Sequence, residues 1–157
     1  MRLGFKKLFL KTLGRVIPSD YFSQRFPVSV KGVCFIDDKV VLLKNERGEW
    51  DLPGGKLKRK EEISRCLARE MEEELNIEVN VGQLLAATQV DVMGAIDVLV
   101  LIYRCSTLAS ATDLKISQEN FGLGLFSMEE LQGLALPRSY IRAIRQAFQF
   151  HVLNGRY

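Results

Sequence analysis

Histidine is nearly absent from this chain: His151 stands alone among 157 residues. That leaves little support for a zinc site, or for a serine or cysteine nucleophile relayed through histidine, and His151 itself reads as a surface residue near the C-terminus. Cysteine is sparse too. Cys34, Cys66 and Cys105 are widely spaced, odd in number and set in apolar segments with no C-x-x-C pair. They suit reduced core thiols in a cytoplasmic protein better than a disulfide framework or a metal knuckle. Acidic residues are missing from the first seventeen positions, where Arg2, Lys6, Lys7, Lys11 and Arg15 stand; the net charge of +3 therefore leaves the remainder at −2. Basic character confined to one segment argues against sequence-specific or general nucleic-acid binding, which spreads cations over the body of a domain. What is abundant is ordinary: 47% apolar and 26% charged residues, enough for one domain with its own core.

The opening segment places Leu3, Phe5, Phe9, Leu10, Leu13 and Ile17 among its lysines and arginines at roughly helical spacing, and Pro18 stops it. Lys11 and Arg15 interrupt the apolar run, which is too short to span a bilayer or to act as a signal peptide. Residues 1–25 are therefore expected to form a basic amphipathic helical segment ahead of a domain over 26–157. The helix would pack on that domain or on a second subunit, or lie on an anionic membrane surface. For a homodimer, this helix and the apolar stretch Val98 to Tyr103 are the candidate surfaces.

From Val28 the pattern turns to strands. Val28 to Ile36 and Val40 to Leu43 are rich in aliphatic and β-branched residues, and Asp37-Asp38 between them signals a hairpin. Pro53-Gly54-Gly55 breaks regular structure. A helix from about Glu62 to Leu75 carries Ile63, Leu67, Met71 and Leu75 at i+4 spacing, a stripe suited to burial against a sheet. Further strands are expected at Ile77 to Val81, Leu84 to Val92 and Ala95 to Cys105, with Gly94 at a turn. A loop follows at Asp113 to Asn120, then a short strand at Phe121 to Phe126, a helical turn at Met128 to Leu131, and a closing helix from Pro137 to about Phe150. Strands and helices mix without regular βαβ alternation, and no repeat or linker divides them. The pattern points to an α+β domain, layered α/β/α.

The predicted helix at Glu62 to Leu75 also carries Glu70, Glu73 and Glu74. Residues three and four apart are neighbours on a helix, so the three carboxylates cluster and repel, while Arg69 can reach Glu73. An exposed cluster of this kind is commonly a solvated acidic face. As a cation site, its oxygen-rich, histidine-poor donors favour Mg2+ or Mn2+ over zinc. Spacing adds weight to the second reading. Gly55, Glu61, Arg69-Glu70, Met71, Glu73-Glu74 and Ile77 fall in the register G-x5-E-x7-R-E-U-x-E-E-x-G-U, with U aliphatic, and this resembles the Nudix box. Trp50-Asp51-Leu52-Pro53-Gly54-Gly55 resembles the segment that commonly leads into it. One departure is Asn76, where the family has glycine; asparagine accepts a left-handed backbone better than most residues and can close the helix as glycine would. A second is Lys58-Arg59-Lys60 before Glu61, where relatives often have glycine. These cations either help hold an anionic substrate or are simply solvated.

The resemblance implies a Nudix fold, a mixed sheet between helices, and a hydrolase that uses Mg2+, or Mn2+, to cleave a diphosphate bridge in a nucleotide-derived small molecule. On the matching positions it implies Glu70 and Glu74 as metal ligands and Glu73 as a further ligand or the base that activates water. Arg69 would orient the glutamates, Gly54 would offer a carbonyl to metal, and Glu61 would support the site or hold an additional metal. Gly55, Lys56 and Lys58 are candidates for contacting substrate, with Trp50 for stacking on a base. Glu119, in a polar loop, is an alternative catalytic base. ADP-ribose hydrolases of the family often carry a proline about fifteen residues past the box, and diadenosine-polyphosphate hydrolases a tyrosine near there; Asp91, Val92 and Met93 occupy that region here. A nucleoside triphosphate, nucleotide sugar, ADP-ribose or dinucleotide all remain open. The rival reading is a non-catalytic Nudix-like nucleotide-sensing module, which would be expected to lose box glutamates that this chain keeps.

Overall fold

A computed structural model describes residues 26–92, 94–117 and 121–153. The N-terminal helix expected over 1–25, with its dimer and membrane alternatives, lies outside the described residues, as does Glu119. Six strands are present: β1 (Val28–Ile36), β2 (Lys39–Lys44), β3 (Trp50–Asp51), β4 (Asn80–Val92), β5 (Ile96–Ser106) and β6 (Gly122–Phe126). Helix α1 spans Ile63–Leu75, a 3-10 turn spans Glu130–Gly133, and α2 spans Arg138–Leu153.

The order along the sheet is β3-β2-β1-β5-β4, with β6 also on β2. β1 and β5 are parallel from Val28 opposite Leu99 to Cys34 opposite Cys105; the other pairs are antiparallel. β6 runs along β2 from Val40 to Lys44, so β1 and β3 share the opposite edge of β2. Side chains alternate across a strand, and β1 shows it. Val30, Cys34 and Ile36 pack under Cys66, Leu67, Met71 and Leu75 of α1, whereas Val33 on the other face packs with Tyr140, Ala143, Ile144 and Ala147 of α2. The result is the α+β fold in α/β/α layers that the pattern suggests. Burying each Val, Ile, Leu or Met of these layers stabilises the fold by about 1.5–3 kcal/mol.

The turn between β1 and β2 holds Asp37 at φ 50° and Asp38 at φ 62°, the paired left-handed geometry that matches the twist of a two-residue hairpin. His151 is not a plain surface residue. The last turn of α2 passes over this hairpin, where the imidazole stacks on Phe35 at 5.2 Å and shares a 2.9 Å hydrogen bond with Asp38. In the stretch Val98 to Tyr103, β5 lies between β1 and β4 and so has no free strand edge; Val100 and Ile102 are buried, while Val98, Leu99, Leu101 and Tyr103 are partly exposed. The strands expected at Ile77–Val81 and Leu84–Val92 are a single β4, whose register shifts between Val81 and Ala86. All three cysteines are buried free thiols, and burial pushes the Cys34 thiol up to about 12. Among the described residues no helix is long and apolar enough to cross a membrane.

Candidate active site

The segment that breaks regular structure after β3 is held against the central strand. Gly32 N–H donates to the Pro53 carbonyl, Val30 N–H to the Gly55 carbonyl and Leu57 N–H to the Val28 carbonyl, each at 2.9 Å. Residues 53–57 thus line the free part of β1 next to where α1 crosses the same face. Gly54 has φ +124°, and a Cβ there would collide with the Val30 carbonyl, so glycine alone fits.

Helix α1 closes on Asn76 at φ 58°, ψ 37°, the left-handed cap expected of it. Two carbonyls of its last turn accept from the chain after β5: Leu75 O from Lys115 N–H at 3.0 Å and Glu74 O from Ser117 N–H at 3.1 Å. At the second departure from the family pattern the backbone favours the glycine expected there rather than the lysine present. Lys60 sits at φ 64°, a conformation glycine adopts without cost and a lysine does not.

One arginine gathers the carboxylates. Arg69 donates through Nε to Glu61 Oε1 at 2.9 Å and through Nη2 to Glu61 Oε2 at 3.3 Å, while Nη1 reaches Glu70 Oε1 at 2.7 Å and Glu73 Oε2 at 3.0 Å. Glu61 also accepts from Lys58 N–H at 2.9 Å. The guanidinium first, and that N–H second, draw the Glu61 carboxyl down to about 2, and the same contact with Glu61 raises Arg69 further above its already high value. Glu70 lies against Gly55, whose absent side chain makes room for it: a Cβ would stand 2.5 Å from the Glu70 Cδ. Glu74 Oε2 accepts from Gly54 N–H at 2.7 Å. Glu70 and Glu74 are thereby both brought to the double glycine.

These hard oxygen donors fit Mg2+ or Mn2+ in kind. Among the described residues no three of His, Cys, Asp or Glu converge as a formed metal site.

On the α2 side of β1 opens a cleft of about 810 Å³, lined among others by Ser29, Lys31, Trp50, Asp51, Lys56, Val90, Val98 and Tyr140. Trp50 forms part of its wall, set edge-on to Phe126 at 4.8 Å, with Lys44 over its ring at 5.6 Å. Lys56 joins the cleft to the box loop. Lys58 is exposed and does not line it.

Lys31 and Asp51 carry contacts here that the motif did not flag. Lys31 Nζ donates to Asp51 Oδ2 at 3.0 Å, and burial beside Asp51 raises the Tyr140 hydroxyl above its usual range. The available signal was a lysine in the middle of an otherwise apolar strand, VSVKGVCFI.

A curated CTP pyrophosphohydrolase of Escherichia coli (strain K12) is 37% identical over 65 residues, covering 38% of this chain and 48% of that protein. The chain thus matches about half the length of that relative. Among solved structures, a MutT protein from Methanosarcina mazei Go1 has a TM-score of 0.68 at 22% identity, covering 82% of this chain and 97% of that one. An ADP-ribose pyrophosphatase from Streptococcus suis 89-1591 has a TM-score of 0.64 at 18% identity, covering 85% and 96%. At these identities the likeness is one of fold. The NUDIX domain model matches residues 25–146, which include both sheet faces, the arginine-centred carboxylates and the double glycine, and this chain belongs to the NUDIX domain family.

Proposed function

We propose that the protein hydrolyses a phosphoanhydride bond in a nucleoside diphosphate linked to a further group, with Mg2+ as cofactor. The observation that carries this reading is the convergence of Glu70 and Glu74 on Gly54-Gly55, with Arg69 bridging Glu61, Glu70 and Glu73. Holding several like charges this close costs stability unless a cation is to be bound. Glu70, Glu74 and the Gly54 carbonyl would hold the metal, with Glu73 as a further ligand or as the base. When bound, Mg2+ neutralises the charge of the bridging phosphates and acidifies water.

The protein's own groups do the rest. Glu73, or Glu119 in its place, takes the proton from the attacking water. Arg69 orients the glutamates, with Glu61 as its counter-charge. Lys56 meets the phosphates where the cleft joins the box, and Trp50 stacks on the base. Attack at one phosphorus yields two phosphorylated products, or a monophosphate and pyrophosphate from a triphosphate.

The CTP pyrophosphohydrolase relative makes CTP the first substrate to try. The test is incubation with Mg2+ and a panel of nucleoside triphosphates, ADP-ribose, nucleotide sugars, dinucleoside polyphosphates and NADH, with products identified by mass. Cleavage of one class at its phosphorus bridge is expected; no product from any class would refute the proposal.

A further inference from the structure

Lys31 is a charged side chain on an apolar strand, and it is drawn into the molecule. Only 13% of the side chain is exposed, and Nζ donates to Asp51 Oδ2 at 3.0 Å, the Leu52 carbonyl at 2.9 Å and the Gly54 carbonyl at 3.0 Å. An ammonium has three hydrogens, so these acceptors use all of them, and none is left for a phosphate or a base. Lys31 therefore does not contact substrate through a hydrogen bond of its own.

All three acceptors lie within residues 51–54, directly before the box. Gly54 is consequently gripped from two sides: its carbonyl by β1 through Lys31, and its N–H by α1 through Glu74 at 2.7 Å. Among the described residues, Lys31 Nζ is the side-chain donor that the Leu52 and Gly54 carbonyls share. Asp51 supplies the counter-charge. Its Oδ2 neutralises the ammonium at 3.0 Å. A neutralised ammonium can hold a carbonyl without repelling a second cation strongly.

We propose that Lys31 is the positioning residue of the metal site: it fixes the Gly54 carbonyl in the orientation in which that carbonyl and the box glutamates receive the cation. This rests on the reading of Gly54, Glu70 and Glu74 as metal donors. Groups that orient metal ligands typically contribute about 10–100-fold to affinity.

The test compares full-length wild type, Lys31→Met and Lys31→Arg, each checked by thermal melting. Mn2+ affinity is read from loss of the free-ion electron paramagnetic resonance signal, together with the Mg2+ concentration for half-maximal hydrolysis and the KM for nucleotide at saturating Mg2+. Lys31→Met is expected to weaken Mn2+ binding about tenfold and to raise the Mg2+ requirement in parallel, with little change in KM; Lys31→Arg, which keeps the charge but not the three-point grip, should fall between. Unchanged Mn2+ affinity in Lys31→Met would overturn the proposal, and so would tighter binding, which would mean that the ammonium competes with the metal. Should Lys31→Met not fold, Lys31→Arg decides alone: wild-type Mn2+ affinity in it would overturn the proposal. Failure of the underlying reading looks different, since wild type itself would then neither bind Mn2+ nor hydrolyse.

Discussion

Replacing Gly55 by alanine separates the stability of the box from its chemistry. Gly55 lacks a positive φ, so the backbone accepts a side chain, but the new methyl carbon would stand 2.5 Å from the Glu70 Cδ and Oε2 and 2.7 Å from Oε1. Carbon contacts settle at about 3.5 Å or more, so the carboxylate must retreat by about 1 Å. It is the free end of a long side chain and can do so without moving the helix. The retreat lengthens the 2.7 Å bond from Arg69 Nη1 to Glu70, while the bonds from Arg69 to Glu61 and Glu73 stand. Arg69 and Glu70 are 23% and 16% exposed, and losing a bond of this kind costs about 1 kcal/mol. In a chain of this size that lowers Tm by about 2–4 °C. Displacing a group that must hold a reacting centre by about 1 Å costs on the order of 10²-fold in rate. Thermal melting and initial rates at saturating Mg2+ should therefore diverge, with a small drop in one and a large drop in the other. A wild-type rate in Gly55→Ala would show that the seating of Glu70 on Gly55 has no part in catalysis. A fall in Tm beyond about 10 °C would show that the carboxylate is not free to retreat.

Lys60→Gly should raise stability by about 0.5–1 kcal/mol, because relief of the left-handed strain outweighs the added freedom of the unfolded chain; a lower urea midpoint would refute the strain argument. Glu61 has a folded-state carboxyl near 2 against an ordinary 4.5, so its contribution is full above the ordinary value and is lost as pH falls from about 4.5 to about 2. Arg69→Met should flatten that part of the stability profile, measured as urea midpoint against pH, and an equally steep fall in the variant would contradict the assignment. Of Glu73→Gln and Glu119→Gln, the variant that removes the base should lose about 10²–10⁴-fold in kcat with little change in KM, and near-normal turnover excludes that residue.

The elements most legible in the sequence were those with a sustained period. β1 follows its aliphatic run from Val28 to Ile36, and α1 follows the stripe from Ile63 to Leu75, with Asn76 closing it as the cap chemistry suggested. β3 has two residues and no period to read. Gly82 and Gln83 read as a break between strands, but the break is absorbed as a register shift inside β4. α2 runs on to Leu153 because His151, Val152 and Leu153 carry no helix-breaking signal. In the site, the box register brought out Arg69, Glu70, Glu73 and Glu74 because their spacing is local to one helix. Lys31 and Asp51 meet across twenty positions of sequence, and the Pro53-Gly54-Gly55 segment reads as a breaker while in fact lying along β1. Contacts of that range depend on which strands become neighbours, and periodicity does not report it.

The most direct measurement compares wild type with the double variant Glu70→Gln/Glu74→Gln for CTP hydrolysis across a Mg2+ titration, with Mn2+ binding followed in the same samples. Metal-dependent hydrolysis through Glu70 and Glu74 predicts release of two phosphorylated products by wild type, with hydrolysis and Mn2+ affinity lost together in the variant. Undiminished hydrolysis in the variant would contradict it, as would tight nucleotide binding by wild type without product from any nucleotide, the behaviour of a sensing module.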